Sequence, residues 1–271
     1  MNKQYDVAAL GELLIDFTEN GTSGQGNPVY EANPGGAPCN VLSMLNKLGH
    51  RTAFLGKVGN DIFGRQLRAA VESAGIDVSG LLTDEDVRTT LAFVETKPDG
   101  DRDFSFYRNP GADMMLREDE VRHDIIADAK IFHFGTLSMT NEPVRSATRH
   151  AIKVAKENGA ILSFDPNIRE PLWKDMEDAR TQMAYYTEGI HMLQQTYQIP
   201  LILLSMGKDG SRAYYKDMLV EVPAFLQKNT IETTGAGDTF GACCLHHILK
   251  YGLDNLTKQQ LKEMLTFANA A

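Results

Sequence analysis

Residues 232–241, with the sequence ETTGAGDTFG, combine two glycines and an acid with the start of a helix that is predicted from Thr239 to about Lys250. The free N–H groups at a helix start, together with the helix dipole, form a site for anions. Asp238 lies among these groups. An acid in this position can take a proton from a hydroxyl while the N–H groups at the helix start stabilise a phosphoryl group in transfer. The structural alternative is a glycine turn with Asp238 as a helix cap.

A second glycine-rich segment, NPGGAPCN at residues 33–40, also opens a predicted helix, which runs to about Leu48. Gly35 and Gly36 would let the backbone approach a ligand closely, and Asn40 in the first turn can hydrogen-bond a hydroxyl. A plain turn followed by a cap is the alternative. Neither glycine segment fits the P-loop or the dinucleotide-binding fingerprint.

The composition excludes several classes of protein. The chain has 271 residues, of which 42% are hydrophobic, and this suits one large α/β domain or a domain with a small appendage. The net charge of −9 argues against nucleic acid or an anionic membrane as the main partner. Three cysteines without metal-ligand spacing, and a polar N-terminus, predict a reducing cytoplasmic environment.

Short apolar strands alternate with amphipathic helices along the chain. Strands are predicted at 7–15, 52–58, 130–134, 160–165 and 201–204, and helices at 61–73 and 142–157. This alternation predicts a parallel sheet covered by helices on both faces. Ligands of such sheets bind at the carboxyl ends of the strands, an edge that Asp16, Asp165 and the 235–238 loop could all reach.

Two stretches interrupt the alternation. Residues 17–31 are polar and glycine-rich, and residues 89–95 and 103–107 flank the turn sequence KPDGD. These features predict a hairpin and a small antiparallel sheet that stands off the main domain. Such a flap can exclude water from a ligand, although a purely structural hairpin is the alternative.

Together these segments resemble the ribokinase-like (PfkB) family of carbohydrate kinases, and among its members most of all the bacterial fructokinases. The resemblance covers the whole chain in order. The matching segments are GELLIDF at 11–17, PGGAPCN at 34–40, YRNPGADM at 107–114, FHFG at 132–135, DPNIREPLW at 165–173 and TTGAGD at 233–238.

The resemblance implies an α/β protein, a three-layer α/β/α ribokinase-like sandwich with a mostly parallel central sheet and a small antiparallel β-sheet lid. It implies a single kinase domain over residues 1–271, with the lid formed by about 17–33 and 89–108. The expected reaction is ATP-dependent phosphorylation of a sugar, most similar to that of fructose on its 6-hydroxyl, with Mg²⁺ and a monovalent cation such as K⁺. Sugar and ATP are the expected partners, and the exposed edge of the lid suggests a homodimer.

The family's functional residues map onto matching positions. By this resemblance Asp238 is the base for the sugar hydroxyl, and residues 235–237 supply the anion hole. Arg169 reaches the substrate or the transferring phosphate. The residues expected to bind the sugar are Asp16, Gly35, Gly36 and Asn40, with Phe106 and Arg108 closing over it from one face of a lid strand. The nucleotide loop is expected at Ser205, Gly207 and Gly210.

The chain departs from the family pattern in two places. The family has a strand after the helix predicted at 175–185, with an N-x-x-E-like motif that helps to place Mg²⁺, whereas residues 185–189 here run directly into the next helix. The family also continues beyond the helix in which this chain stops. We therefore expect residues to be missing near 185/186 and after 271, and we assign no metal ligands.

Other activities fit part of this pattern. A 2-keto-3-deoxygluconate kinase is the main alternative, because Arg108 and Arg169 could bind a carboxylate; ribose or a nucleoside are further candidate substrates. A sugar or nucleotide sensor without turnover would explain the absent Mg²⁺ motif. A Rossmann dehydrogenase is disfavoured because the dinucleotide fingerprint is absent.

Overall fold

The computed structural model describes residues 3–96, 102–167, 194, 197–225 and 235–271. The chain forms two compact units, Met1–Met176 and Glu177–Ala271. Within the described residues, no helix is long and apolar enough to cross a membrane.

A five-stranded parallel sheet forms the centre of the first unit. Its strands are β1 (Tyr5–Leu10), β4 (Thr52–Gly59), β5 (Asp77–Asp84), β8 (Ala129–Gly135) and β9 (Ile161–Asp165). Their order is β5-β4-β1-β8-β9, and every pairing is parallel. All residues of β1 and β4 are buried, as expected for parallel strands that are covered on both faces.

Helices cover both faces of this sheet. They are α1 (Ala37–Lys47), α2 (Ile62–Ser73), α3 (His123–Ala127) and α4 (Val144–Glu157). Apolar residues of α3 and α4 form one core with Ala8, Leu10 and Phe132. Neighbouring strand residues point to opposite faces, so Val7 and Ala9 lie on the other side, where α1 contacts β1, β4 and β8. The predicted α/β/α layering is confirmed.

The small sheet is also part of the first unit. It contains β2 (Leu14–Thr22), β3 (Pro28–Gly35), β6 (Leu91–Thr96) and β7 (Arg102–Tyr107), in the order β3-β2-β6-β7. Two of its pairings are antiparallel, but β2 and β6 pair in parallel, so this lid sheet is mixed. Aromatic rings line one face, where Phe17 stacks on Phe93 at a centroid distance of 4.9 Å.

The prediction of a single strand at 7–15 is wrong. The structure has two strands, β1 and β2, separated by residues 11–13. The run is buried throughout, from Val7 to Ile15, and therefore gives no local sign of a break. The chain leaves the parallel sheet at Gly11 and enters the lid sheet at Leu14.

The second unit, within its described residues, contains an antiparallel sheet and two helices. The strands are β10 (Leu201–Ser205), β11 (Ser211–Tyr215) and β12 (Met218–Val222), and the helices are α5 (Ala236–Tyr251) and α6 (Lys258–Ala270). Helix α6 packs on α5, β11 and β12. Its N-cap is Thr257, whose side chain accepts a hydrogen bond from the Gln260 N–H.

Some predictions fall outside the described residues. These include the role of Arg169, the helix at 175–185, the segment near 185/186, and residues 232–234 of the glycine motif that precedes α5.

Candidate active site

The first group of predicted residues lies where β3 meets α1. In the lid sheet Asp16 pairs with Asn33, and Leu14 pairs with Gly35. A Cβ atom added to Gly35 would collide with the Asp16 carboxylate. Glycine at position 35 therefore allows this acid to lie directly against the main chain, and the two predicted sugar-binding residues are in contact range of each other.

Gly36 begins helix α1 in a conformation that favours glycine. Its φ is 124°, and an added Cβ would come within 2.5 Å of the Glu12 carbonyl oxygen. The following Ala37 N–H donates a hydrogen bond of 3.0 Å to Oε1 of Glu12. The carboxyl group of Glu12 thus lies at the N-terminal end of α1, and this hydrogen bond links residues 11–13 to the glycine turn.

Glu12 is a residue that the sequence interpretation missed. It is buried, with 3% of its surface exposed. Burial raises its pKa to about 7, whereas the Ala37 N–H and the charge of Arg108 act in the opposite direction. Glu12 stands in an otherwise apolar run, and a charged residue that is buried there needs a partner. That pattern in the sequence could have indicated its role. The partner itself lies 25 positions further along the chain.

Phe106 shares a face of the lid sheet with Asp16. The register pairs Asp16 with Ala92, and Ala92 with Phe106, and directly paired residues project to the same side of a sheet. Phe106 is half-buried. Asn40, also half-buried, lies in the first turn of α1, where its N–H donates to the Gly36 carbonyl. Phe106 is therefore two strands away from Asp16 on the same face of the lid sheet, and Asn40 is one helical turn after Gly36.

The structure does not support the expected position of Arg108. Strand β7 ends at Tyr107, so strand alternation no longer sets the direction of the next side chain. The Arg108 guanidinium is buried and pairs with Asp113 through Nε at 2.8 Å and Nη2 at 2.7 Å. Its Nη1 donates to Thr140 Oγ1 and its Nη2 to the Leu137 carbonyl, both at 3.0 Å. Arg108 therefore ties the end of the lid strand to the main part of the unit.

The second group of predicted residues lies at the start of α5. Gly235 is the N-cap, with a φ of 75°, and the helix begins at Ala236, three residues before the predicted start. Asp238 is thus in the first helical turn, among N–H groups that have no partner within the helix. An added Cβ on Gly237 would meet no atom of the described residues within 4 Å. Among the described residues, no side chain covers Gly237 in the first turn.

In the loop after β10, the two predicted glycines have different roles. Residues Gly207–Asp209 form a 3₁₀ turn. Gly207 has a φ of 57°, and an added Cβ there would meet nothing described within 4 Å. Gly210 has a φ of 92°, and its added Cβ would collide with the Val222 carbonyl, so the turn itself requires this glycine. Ser205 is exposed at the end of β10. Among the described residues, none covers Gly207 or Ser205.

The described residues do not show a metal cage. No three His, Cys, Asp or Glu side chains among them converge on one point. The three cysteines, Cys39, Cys243 and Cys244, are all buried as free thiols.

Comparison with known proteins identifies the family of this chain. The profile of the pfkB family carbohydrate kinases matches residues 4–191 and 185–271. A relative named probable fructokinase-3, from Arabidopsis thaliana, is 40% identical over 97% of this chain and 84% of its own length.

Two solved structures are also similar. The fructokinase from Xylella fastidiosa with bound ATP superposes with a TM-score of 0.84 and 27% identity, covering 98% of this chain and 90% of that one. A double mutant of the fructokinase from Vibrio cholerae O395, bound to fructose, ADP and a potassium ion, has a TM-score of 0.84 and 27% identity over 99% of this chain and 91% of that one.

The fold and the two glycine-opened helices define a ribokinase-like phosphotransferase. The chain belongs to the pfkB family of carbohydrate kinases.

Proposed function

We propose that this protein is an ATP-dependent fructokinase, which transfers the γ-phosphate of ATP to the 6-hydroxyl of fructose. One observation carries the proposal. An acid, Asp238, lies in the first turn of a glycine-capped helix in a chain that is 40% identical to a protein named a fructokinase. The fructokinase structure that contains fructose and ADP supports fructose as the acceptor and an adenine nucleotide as the phosphate donor.

The residues of the first group would bind the sugar. Asp16 can accept hydrogen bonds from two hydroxyls, and Asn40 can both donate and accept. The bare backbone at Gly35 and Gly36 leaves room for the sugar beside these groups. Phe106 lies on the same face of the lid sheet as Asp16 and would cover the sugar and limit the access of water.

Asp238 would act as the general base. It would take the proton of the 6-hydroxyl as the oxygen attacks the γ-phosphorus. The bond between the γ-phosphorus and the bridging oxygen would break, and its electron pair would leave on that oxygen as part of ADP. The N–H groups of residues 235–237 would stabilise the negative charge on the phosphoryl oxygens. Arg169, which lies outside the described residues, remains proposed as a further cation for the transferring phosphate.

Different observations support the binding of ATP and the binding of the metal ions. Ser205 and Gly207 are exposed and available for ATP, whereas Gly210 would only shape the loop. Mg²⁺ is commonly held by one or two carboxylates together with substrate phosphates, so the lack of a three-ligand cluster in the described residues is compatible with it. Mg²⁺ would neutralise phosphate charge when bound. The proposed monovalent cation is K⁺, which is present in the Vibrio cholerae structure.

The structure weakens the main alternative substrate. A 2-keto-3-deoxygluconate kinase would need a cation for the substrate carboxylate, and Arg108 was one of two candidates. Its guanidinium is already neutralised by Asp113 in a buried ion pair. Ribose lacks this requirement and remains a candidate, as does a sensor that binds the sugar without turnover.

A panel of substrates tests the proposal. ADP release is measured with ATP and Mg²⁺ against fructose, ribose, 2-keto-3-deoxygluconate and adenosine, and the product is identified by phosphorus NMR. We expect the highest kcat/KM with fructose and a phosphate on its 6-oxygen. A higher value with another acceptor would assign a different substrate, and fructose binding without ADP release would support the sensor.

We also propose a cytoplasmic location, where ATP is produced, and a homodimer that forms through the lid. Tyr30 and Tyr107 are exposed on the lid sheet, and unpaired strand edges favour association. Light scattering should give twice the monomer mass of 30.0 kDa, and Tyr107→Lys should reduce it. A monomer at all concentrations would exclude the dimer.

A further inference from the structure

Two histidine rings meet on the surface of the first unit. His123 is the first residue of α3, and His150 lies in the middle of α4. Their Nε2 atoms are 2.6 Å apart, and the ring centroids are separated by 4.6 Å. At this distance the two nitrogens share a hydrogen bond, in which one ring nitrogen carries the proton and the other accepts it through its lone pair.

A carboxylate sets the tautomer of His150. Oε1 of Glu118 lies 3.0 Å from Nδ1 of His150, so the Nδ1–H donates to it. In the neutral ring, Nε2 of His150 then carries the lone pair that points at His123. Metal-binding histidines are oriented by this kind of hydrogen bond from the opposite ring nitrogen to a carboxylate.

We propose that His123 and His150 form a surface site for a divalent transition metal ion, such as Zn²⁺ or Ni²⁺, with one Nε2 ligand from each ring. Metal–nitrogen bonds of about 2.1 Å at a tetrahedral angle place the two nitrogens about 3.4 Å apart. The Nε2 atoms must therefore separate by less than about 1 Å from their present distance. His123 is exposed, so its ring can rotate, and its proton moves to Nδ1.

The site offers two protein ligands. Glu118 contacts the opposite nitrogen of the His150 ring and cannot also reach a metal on Nε2. No third His, Cys, Asp or Glu completes a cluster within the described residues, so water completes the coordination. Imidazole ligands favour zinc, nickel and copper over Mg²⁺ and Ca²⁺, which prefer oxygen. The expected selectivity therefore differs from that of the metal used with ATP.

Calorimetric titration of the full chain, without an affinity tag, tests the proposal. We expect one Ni²⁺ per chain, undisturbed by excess Mg²⁺. Both His123→Gln and His150→Gln should weaken binding at least tenfold, whereas His50→Gln, a histidine outside the pair, should not. Glu118→Gln should weaken binding about tenfold or more, the usual effect of losing such a carboxylate.

Electron paramagnetic resonance with Cu²⁺ gives a second readout. The spectrum of the wild type should contain hyperfine coupling from two imidazole nitrogens, and that of His150→Gln should not. Equal Ni²⁺ affinity in wild type and His150→Gln would overturn the proposal. So would a Glu118→Gln protein with unchanged affinity. Circular dichroism verifies that each variant is folded.

Discussion

Replacing Glu12 by Gln should change how the stability of the protein depends on pH. Burial raises the pKa of this carboxyl from its ordinary value of 4.5 to about 7 in the folded state. Between these values the unfolded chain has lost the Glu12 proton, whereas the folded chain still holds it. The stability that Glu12 contributes is therefore complete below pH 4.5 and is lost as the pH rises through 7.

The size of the effect follows from the two pKa values. One pKa unit corresponds to about 1.4 kcal/mol, so a rise from 4.5 to about 7 corresponds to about 3 kcal/mol. The glutamine that replaces Glu12 does not titrate. The unfolding free energy of Glu12→Gln, minus that of the wild type, should consequently increase by about 3 kcal/mol between pH 4.5 and pH values above 7.

Another buried residue, His133, changes the unfolding free energy with pH in the opposite direction, and the comparison of Glu12→Gln with wild type cancels its contribution. Burial lowers the pKa of His133 to about 4, so this residue adds stability as the pH rises from 4 towards 6.5. The wild-type curve alone would therefore show partial cancellation. His133 is present in both proteins, and its contribution disappears from the difference.

Urea unfolding followed by far-UV circular dichroism, at several pH values from 4.5 to above 7, measures this difference. Glu72→Gln, an exposed residue of α2, controls for the loss of one acidic group. A stability difference between Glu12→Gln and wild type that does not vary with pH would refute the assigned burial and protonation of Glu12.

Two further variants test the Asp16–Gly35 contact and the buried ion pair of Arg108. Gly35→Ala should raise the KM for fructose about tenfold or more, because the new Cβ collides with the Asp16 carboxylate. A tenfold change corresponds to about 1.4 kcal/mol of binding free energy. Initial rates at varied fructose concentration measure the KM, and an unchanged value would contradict the prediction. Arg108→Leu should cost about 3–5 kcal/mol of stability because it leaves Asp113 buried without its cation. Urea unfolding measures this loss, and the double variant Arg108→Leu/Asp113→Leu should recover most of it.

Much of the fold could be predicted from local patterns. The parallel sheet and its covering helices follow from apolar runs alternating with amphipathic segments, and α1 follows from the glycine pair and the spacing of Val41, Leu42 and Leu45. The break between β1 and β2 could not be predicted, because burial persists through it while the pairing partners change. Local sequence carries no information about which sheet a buried strand joins.

The candidate site was predictable to a similar extent. Asp16 and Gly35 lie together because they belong to the neighbouring paired strands β2 and β3. Gly36 follows Gly35 directly, and its backbone conformation is a local property. Arg108 was misplaced because strand alternation was extended one residue beyond the end of β7. Its burial depends on Asp113 and on residues 137–140, which a periodic pattern does not reveal. The partner of Glu12 was hidden for the same reason.

The most direct test of the central claim is the kcat for ADP release by Asp238→Asn at saturating fructose and ATP. A general base contributes roughly 10²–10⁴-fold, so we expect kcat to fall by at least this factor while both KM values change little. Asp217→Asn removes one charge from the exposed turn between β11 and β12 and should retain the wild-type rate. Near-normal turnover by Asp238→Asn would contradict the assignment of Asp238 as the base.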